Sequence, residues 1–237
     1  MEQPQHQLLE VLCGLWFDPD YNGWDSTYYG KFFDLIKDGG FDDKKEQKGF
    51  QVKFEIPSDS TTVPKTQADE IDSRMIFRNS SMKTAISMSP NFISFHKLMP
   101  YESWMKLYDE QVKPGLEIYK KIGLGNKLIR LQILYLNQYN FLPEEKISDK
   151  FSFLPQIGKF GSGKETVNFQ ISYDLEPNLQ QQILLNSLHI MDGSKIVSLQ
   201  CSCTGSNIAG DEEVFQLYKQ VHDKNKEIFQ TITNSII

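Results

Sequence analysis

The stretch Gly158-Lys159-Phe160-Gly161-Ser162-Gly163-Lys164-Glu165 matches a phosphate-binding loop except at its last position. That position calls for a Ser or Thr hydroxyl on magnesium; here it holds Glu165, with Thr166 one residue late. The context differs too, because a short polar helix is expected before the loop and an alternating strand after it, not a buried strand opening into a helix. A glycine-rich connection is the simpler reading. Cys201 and Cys203 flank Ser202 and share a face on a strand with Val197 and Leu199, so they read as core; structural zinc sites use wider paired spacing. The four histidines, His6, His96, His189 and His222, fall in no metal or nucleophile frame, and no Gly-x-Ser-x-Gly elbow occurs. No catalytic residue, metal or cofactor is therefore assigned.

The strand expected over 127–141 carries the most information. Ile129, Leu131, Ile133, Tyr135, Asn137 and Tyr139 share one face, and Leu128, Arg130, Gln132, Leu134, Leu136 and Gln138 share the other. Both faces are largely apolar, which predicts a central strand. Arg130, Gln132 and Asn137 are then polar groups at partly buried positions, costing a few kcal/mol unless partnered. The structural reading pairs Arg130 with a buried carboxylate and lets Asn137 fix a turn. The functional reading makes Arg130, Gln132, Tyr135 and Asn137, with His96 just past a strand end, the lining of a ligand-binding pocket.

The elements that position these residues are legible from periodicity. A strand over 8–17 ends at Asp18-Pro19-Asp20, and a helix capped by Asp25 or Ser26 ends at Gly39-Gly40. Alternation predicts a strand over 50–56, and the polar stretch 57–72 reads as a mobile loop. Short strands follow near 75–78, 84–88 and 92–95. A helix from about Tyr101 is interrupted by Pro114 and closed by Gly123 and Gly125. The second half runs strand 127–141, a short helix over 147–154, strands from Val167, over 180–190 and over 195–204 with an Asp192-Gly193 hairpin, and a last helix capped by Asp211. The fold class this predicts is α+β: antiparallel sheets with long helices packed on them, in two halves of similar element order (strand, helix, strands, helix). The halves are 1–125 and 126–237, joined in one unit.

About 39% of residues are apolar and 12% aromatic, and the net charge is -6. A diffusely acidic chain makes nucleic acid and anionic membranes poor partners. Three cysteines do not make a disulfide framework, no run approaches the ~20 apolar residues of a membrane span, and the start, Met1 to His6, lacks a signal peptide's pattern. The expected location is the cytoplasm.

Several motifs, in order along the whole chain, carry a family likeness: Leu9-Glu10-Val11 opening an apolar strand; Ser89-Pro90-Asn91-Phe92-Ile93-Ser94-Phe95 leading into Tyr101-Glu102-Ser103-Trp104; Arg130, Tyr135 and Asn137 on the mid-chain strand; and Phe229 to Thr233 closing the last helix. In these the chain resembles a sporadically distributed prokaryotic family of uncharacterised function. The family strand often has an arginine directly before the tyrosine, where this chain has Leu134. The resemblance implies no reaction; its patchy distribution is similar to that of phage-defence and toxin–antitoxin genes. The leading expectation is a non-catalytic binding protein for a protein partner, a second copy of itself or a small ligand, within a defence or stress system. The alternatives are an enzyme or toxin acting on nucleotides or RNA through His96, Arg130, Tyr135 and Asn137, and a structural homodimer or larger oligomer with the last helix as its seam.

Overall fold

The structure, a computed structural model, describes residues 6–18, 24–55, 65–125, 127–151, 154, 166–190, 193–206 and 213–234. The strands are β1 (His6–Phe17), β2 (Asp43–Glu55), β3 (Lys65–Asn79), β4 (Thr84–Ser89), β5 (Phe92–Leu98), β6 (Leu128–Phe141), β7 (Asn168–Glu176), β8 (Leu179–His189) and β9 (Lys195–Ser206). The helices are α1 (Thr27–Ile36), α2 (Trp104–Leu107), α3 (Lys113–Lys121), α4 (Ile147–Lys150) and α5 (Glu213–Asn234).

All nine strands join one antiparallel sheet in the order β2-β3-β4-β5-β1-β6-β9-β8-β7. This corrects the expected fold class of several sheets with long helices packed on them. The protein is dominated by one continuous sheet, and its helices are short apart from α5. The expected design fails because β1 and β6 are apolar on both faces and pair with each other at the centre, fusing the sheets that two separate halves would form. From that central pair, each half crosses to an outer edge and meanders back.

The helices pack on one face only among the described residues. α1 sets Phe32 against Phe77, and α3 brings Gly115 over Phe95. α5 lays Leu217 and Val221 over Gly205. Val11, Cys13, Leu15, Phe95, Leu131, Ile133 and Cys203 form the centre of this core, and α4 closes a second cluster around Tyr139, Phe141 and Val197. The stripe of α5 is buried against its own sheet (Val214, Tyr218, Val221 and Ile232), which removes the seam on which the oligomer reading relied.

Two local differences have clear causes. The polar stretch 57–72 is not all loop: from Lys65 it runs as β3, paired with β2, because edge-side strands need no apolar alternation to hold a ladder. The helix from Trp104 widens into a π turn over Tyr108–Val112 immediately before Pro114, which has no N–H to donate and would crowd the preceding turn of a regular helix. The Gly158 to Lys164 loop, Tyr21, Asp192 and Asp211 lie outside the described residues. No helix among the described residues is long and apolar enough to cross a membrane.

Candidate functional site

The ladder fixes which side chains share the face that no described helix covers. Trp16 stands beside Phe92 and Arg130, Gly14 beside Ser94 and Gln132, Leu12 beside His96 and Leu134, and Glu10 beside Leu98 and Leu136. These rows alternate with the core residues Val11, Cys13 and Leu15, so they form the open face. Glu10 keeps the outward phase of Leu12, Gly14 and Trp16, and a bulge between Leu8 and Glu10 sets Leu8 into the core although the two are an even number of residues apart.

Across this face runs a stack of four side chains from four strands. The Arg130 guanidinium lies 3.9 Å from the Trp16 ring centroid, Trp16 and Phe92 are 4.6 Å apart, and the Arg74 guanidinium lies 4.8 Å from Phe92. Arg74 reaches Phe92 across β4, where the intervening residue is the small Ser89. Gly14 seats the indole: a Cβ there would lie 2.8 Å from Trp16 Cη2 and 3.2 Å from Phe92 Cε2. Gly14→Ala is therefore expected to lift Trp16 off the sheet and unstack Arg130. The check is a red-shifted Trp emission, with the shift absent when Trp16→Phe is added.

The chain has three arginines, Arg74, Arg78 and Arg130, and all three lie on this face. Arg78 has Asp43 at 3.7 Å. Among the described residues, Arg74 and Arg130 have no carboxylate within ion-pair distance. Partial burial pulls the Arg130 pKa down from its ordinary value. A guanidinium stacked flat on a ring keeps the N–H donors in its own plane, where a carboxylate or phosphate is taken bidentately.

Beside the stack, Ser94 Oγ lies 2.8 Å from His96 Nε2, and His96 Nδ1 is bonded to Glu10 Oε1. The order hydroxyl, imidazole, carboxylate is that of an activated nucleophile. The surroundings do not complete it. Ser94 is 1% exposed, and β4, β5 and β1 are paired on both sides, so their ladder amides are not available to hold an oxyanion. The row instead fixes His96 and Glu10 in place.

The five residues singled out in the sequence divide between the two faces. Arg130, Gln132 and His96 lie on the open face, where Gln132 Nε2 donates to Ser202 Oγ at 3.3 Å. Arg130 meets an indole, not the expected buried carboxylate. Tyr135 and Asn137 lie under α5. Tyr135 packs against Phe229 at 5.8 Å, and burial pushes its hydroxyl pKa up. Asn137 is fully buried and fixes no turn; neither of its amide atoms has a hydrogen-bond partner among the described residues. Trp16, Phe92, Arg74, Gly14, Ser94 and Glu10 were not picked out as site residues. The alternation of Trp16 with Arg130 across the central pair is visible only once the register is known.

Other sites offer less. A cleft of about 230 Å³ between the β3–β4 turn and α2 is lined by Lys97, Lys106, Tyr101 and Gln111. Two of its three lysines are engaged: Lys106 by Glu102 at 2.8 Å and Lys97 by the Met82 carbonyl at 2.7 Å. Burial pushes the Cys201 and Cys203 thiols up to about 12 and about 11, and both side chains pack within the core. Trp24 and Tyr28 stack on each other at 5.4 Å against the core.

His222 is 4% exposed, stacked on Trp104 at 4.9 Å, with Nδ1 at 3.0 Å from Asp223. Burial lowers its pKa below the ordinary 6.5, outweighing Asp223. The unfolded chain then takes up the proton first, so the stability from this neutral imidazole is whole above pH 6.5 and is lost as pH falls through the folded pKa. Unfolding midpoints in urea at pH 7.5 and pH 5 are expected to differ less in His222→Phe, which keeps the stacking, than in the parent protein.

Comparison with protein families, curated proteins and solved structures finds no match to this chain.

Proposed function

We propose that the protein is a non-catalytic binding protein whose open sheet face receives an anionic small ligand between Arg74 and Arg130. One observation carries this reading: two of the chain's three arginines lie over adjacent aromatic rings, with their donors unclaimed by any described carboxylate. A partly desolvated guanidinium without a counter-ion is an energetic cost that a bound carboxylate or phosphate removes. Arg74 and Arg130 put unpaired positive charge at one end of this face although the chain is net negative, which favours a small anion over a long polyanion. The enzyme reading falls behind because the hydroxyl of its best relay is enclosed and lacks oxyanion donors. A cytoplasmic setting, and a role in a prokaryotic defence or stress system, belong to the same proposal and rest on the composition and on the resemblance in motif order.

Isothermal titration with inorganic pyrophosphate tests it. Arg130→Gln and Arg74→Gln are each expected to weaken binding about ten- to a hundredfold, the range of one charge-assisted contact pair. Arg78→Gln, already opposed by Asp43, should change it far less. Equal affinity in all four proteins, or no heat in any, would remove the reading.

A further inference from the structure

Resting on that reading, we infer that the ligand is an amphipathic anion, a single charged head on an unbranched apolar body, laid along the central pair of strands. The rows of the open face change character in one direction. Arg130, Trp16 and Phe92 form the first row, and Gln132, Gly14 and Ser94 the second. Leu134 and Leu12 dominate the third, and Leu136 and Leu98 flank Glu10 in the fourth. Leu12, Leu134 and Leu136 are half-buried, and Leu98 is 45% exposed. No described element packs on them.

Ser202, small and buried, borders Leu134 on one side and His96 borders Leu12 on the other, so the leucines form a raised apolar track. From Arg130 to Leu136 the track spans roughly 20 Å at the rise of a strand, the length of an extended acyl chain.

Charge fixes the orientation of a ligand on this track. The two unpaired guanidiniums stand at one end. The Glu10 carboxylate stands at the other, on the open face in phase with Leu12 and held on His96. An anionic head is attracted at the first row, and a second anion at the far end of the body is repelled at the fourth. A straight-chain carboxylate and a straight-chain alkyl phosphate share this chemistry, and a nucleotide, whose polar sugar would cover the leucines, does not.

The test is a titration series with sodium alkanoates and alkyl phosphates of increasing length, kept below their aggregation concentrations, with inorganic pyrophosphate as the head-only probe. Affinity is expected to rise roughly twofold per added methylene, less than the about fourfold of full burial, and to level off once the chain passes Leu136. The α,ω-dicarboxylate of a given length should bind more weakly than the monocarboxylate, and Glu10→Gln should narrow that gap. Leu134→Gln should flatten the length dependence. The head that binds more tightly at equal chain length names the source of the ligand. Pyrophosphate binding that depends on Arg130, with no gain from chain length, overturns this inference and leaves the anion reading standing. Loss of both overturns the two together. A dimer in light scattering that shields the leucines and abolishes the length dependence assigns the track to a second copy and also overturns it.

Discussion

Asn225→Ala is expected to cost about 3 kcal/mol of stability, more than most single changes to this protein. The Asn225 side chain is fully buried on α5. Its Nδ2 donates at 3.1 Å to the carbonyls of both Ile133 and Cys201, so one amide ties the last helix to two neighbouring strands. Its Oδ1 accepts from Gln181 Nε2 at 3.2 Å. Removing it leaves Gln181, which is itself fully buried and whose Oε1 already lacks a partner, with a single cysteine sulfur as its main contact. Each stranded buried donor or acceptor costs about 1–3 kcal/mol. Asn225→Asp should be worse at pH 7, because it presents a carboxylate to two carbonyl oxygens. Urea denaturation with an unchanged m-value reads both effects. A loss below 1 kcal/mol for the alanine would show that α5 is held by its apolar stripe alone.

Gly115→Ala is the second large effect, and two terms of opposite sign decide it. Alanine favours a helix interior over glycine by about 1 kcal/mol. Against that, the new methyl would lie 2.2 Å from Cε1 and 2.8 Å from Cζ of Phe95, a ring with no exposed surface in the middle of the core. The ring has no free volume to turn into, so α3 must rise off the sheet. Overpacking of this kind costs about 1–3 kcal/mol or more, and the net expected result is a loss of about 2 kcal/mol. Phe95→Leu in the same chain should recover part of it, which a defect in helix propensity would not allow.

How much of this was legible in the sequence follows from the kind of signal each feature leaves. Apolar runs and the turn signals beside them located β1, β6 and β8 within a few residues. The join between the halves was not legible. An apolar strand reads the same whether its neighbour belongs to its own half or to the other, so β1 and β6 appeared as the hearts of two separate sheets. The first eight residues of β3, 65–72, read as loop because only Ala68 and Ile71 among them are apolar, and pairing with β2 leaves no trace in hydropathy. The candidate site divides in the same way. Arg130 stood out as a polar group on an apolar strand, but its partner Trp16 is more than a hundred residues away and only the register brings them together. Tyr135 and Asn137 were grouped with Arg130 although alternation already set them on the opposite face of the strand; what alternation did not tell is which of the two faces the helices cover. Glu10 keeps the outward phase of Leu12, Gly14 and Trp16; it is Leu8 that a one-residue bulge, which no periodicity announces, moves to the core.

The central claim is that Arg130 and Arg74 are stacked, unpaired and open to an anion. The chain's three arginines give three side-chain Nε–H resonances, assignable with one substitution each. Recording them during a titration with inorganic pyrophosphate is the most direct measurement. The account predicts that Arg130 and Arg74 start upfield, shielded by the Trp16 and Phe92 rings, and move together downfield to saturation while Arg78 stays nearly still. Three arginine signals at unshielded positions that do not respond to the anion would contradict it.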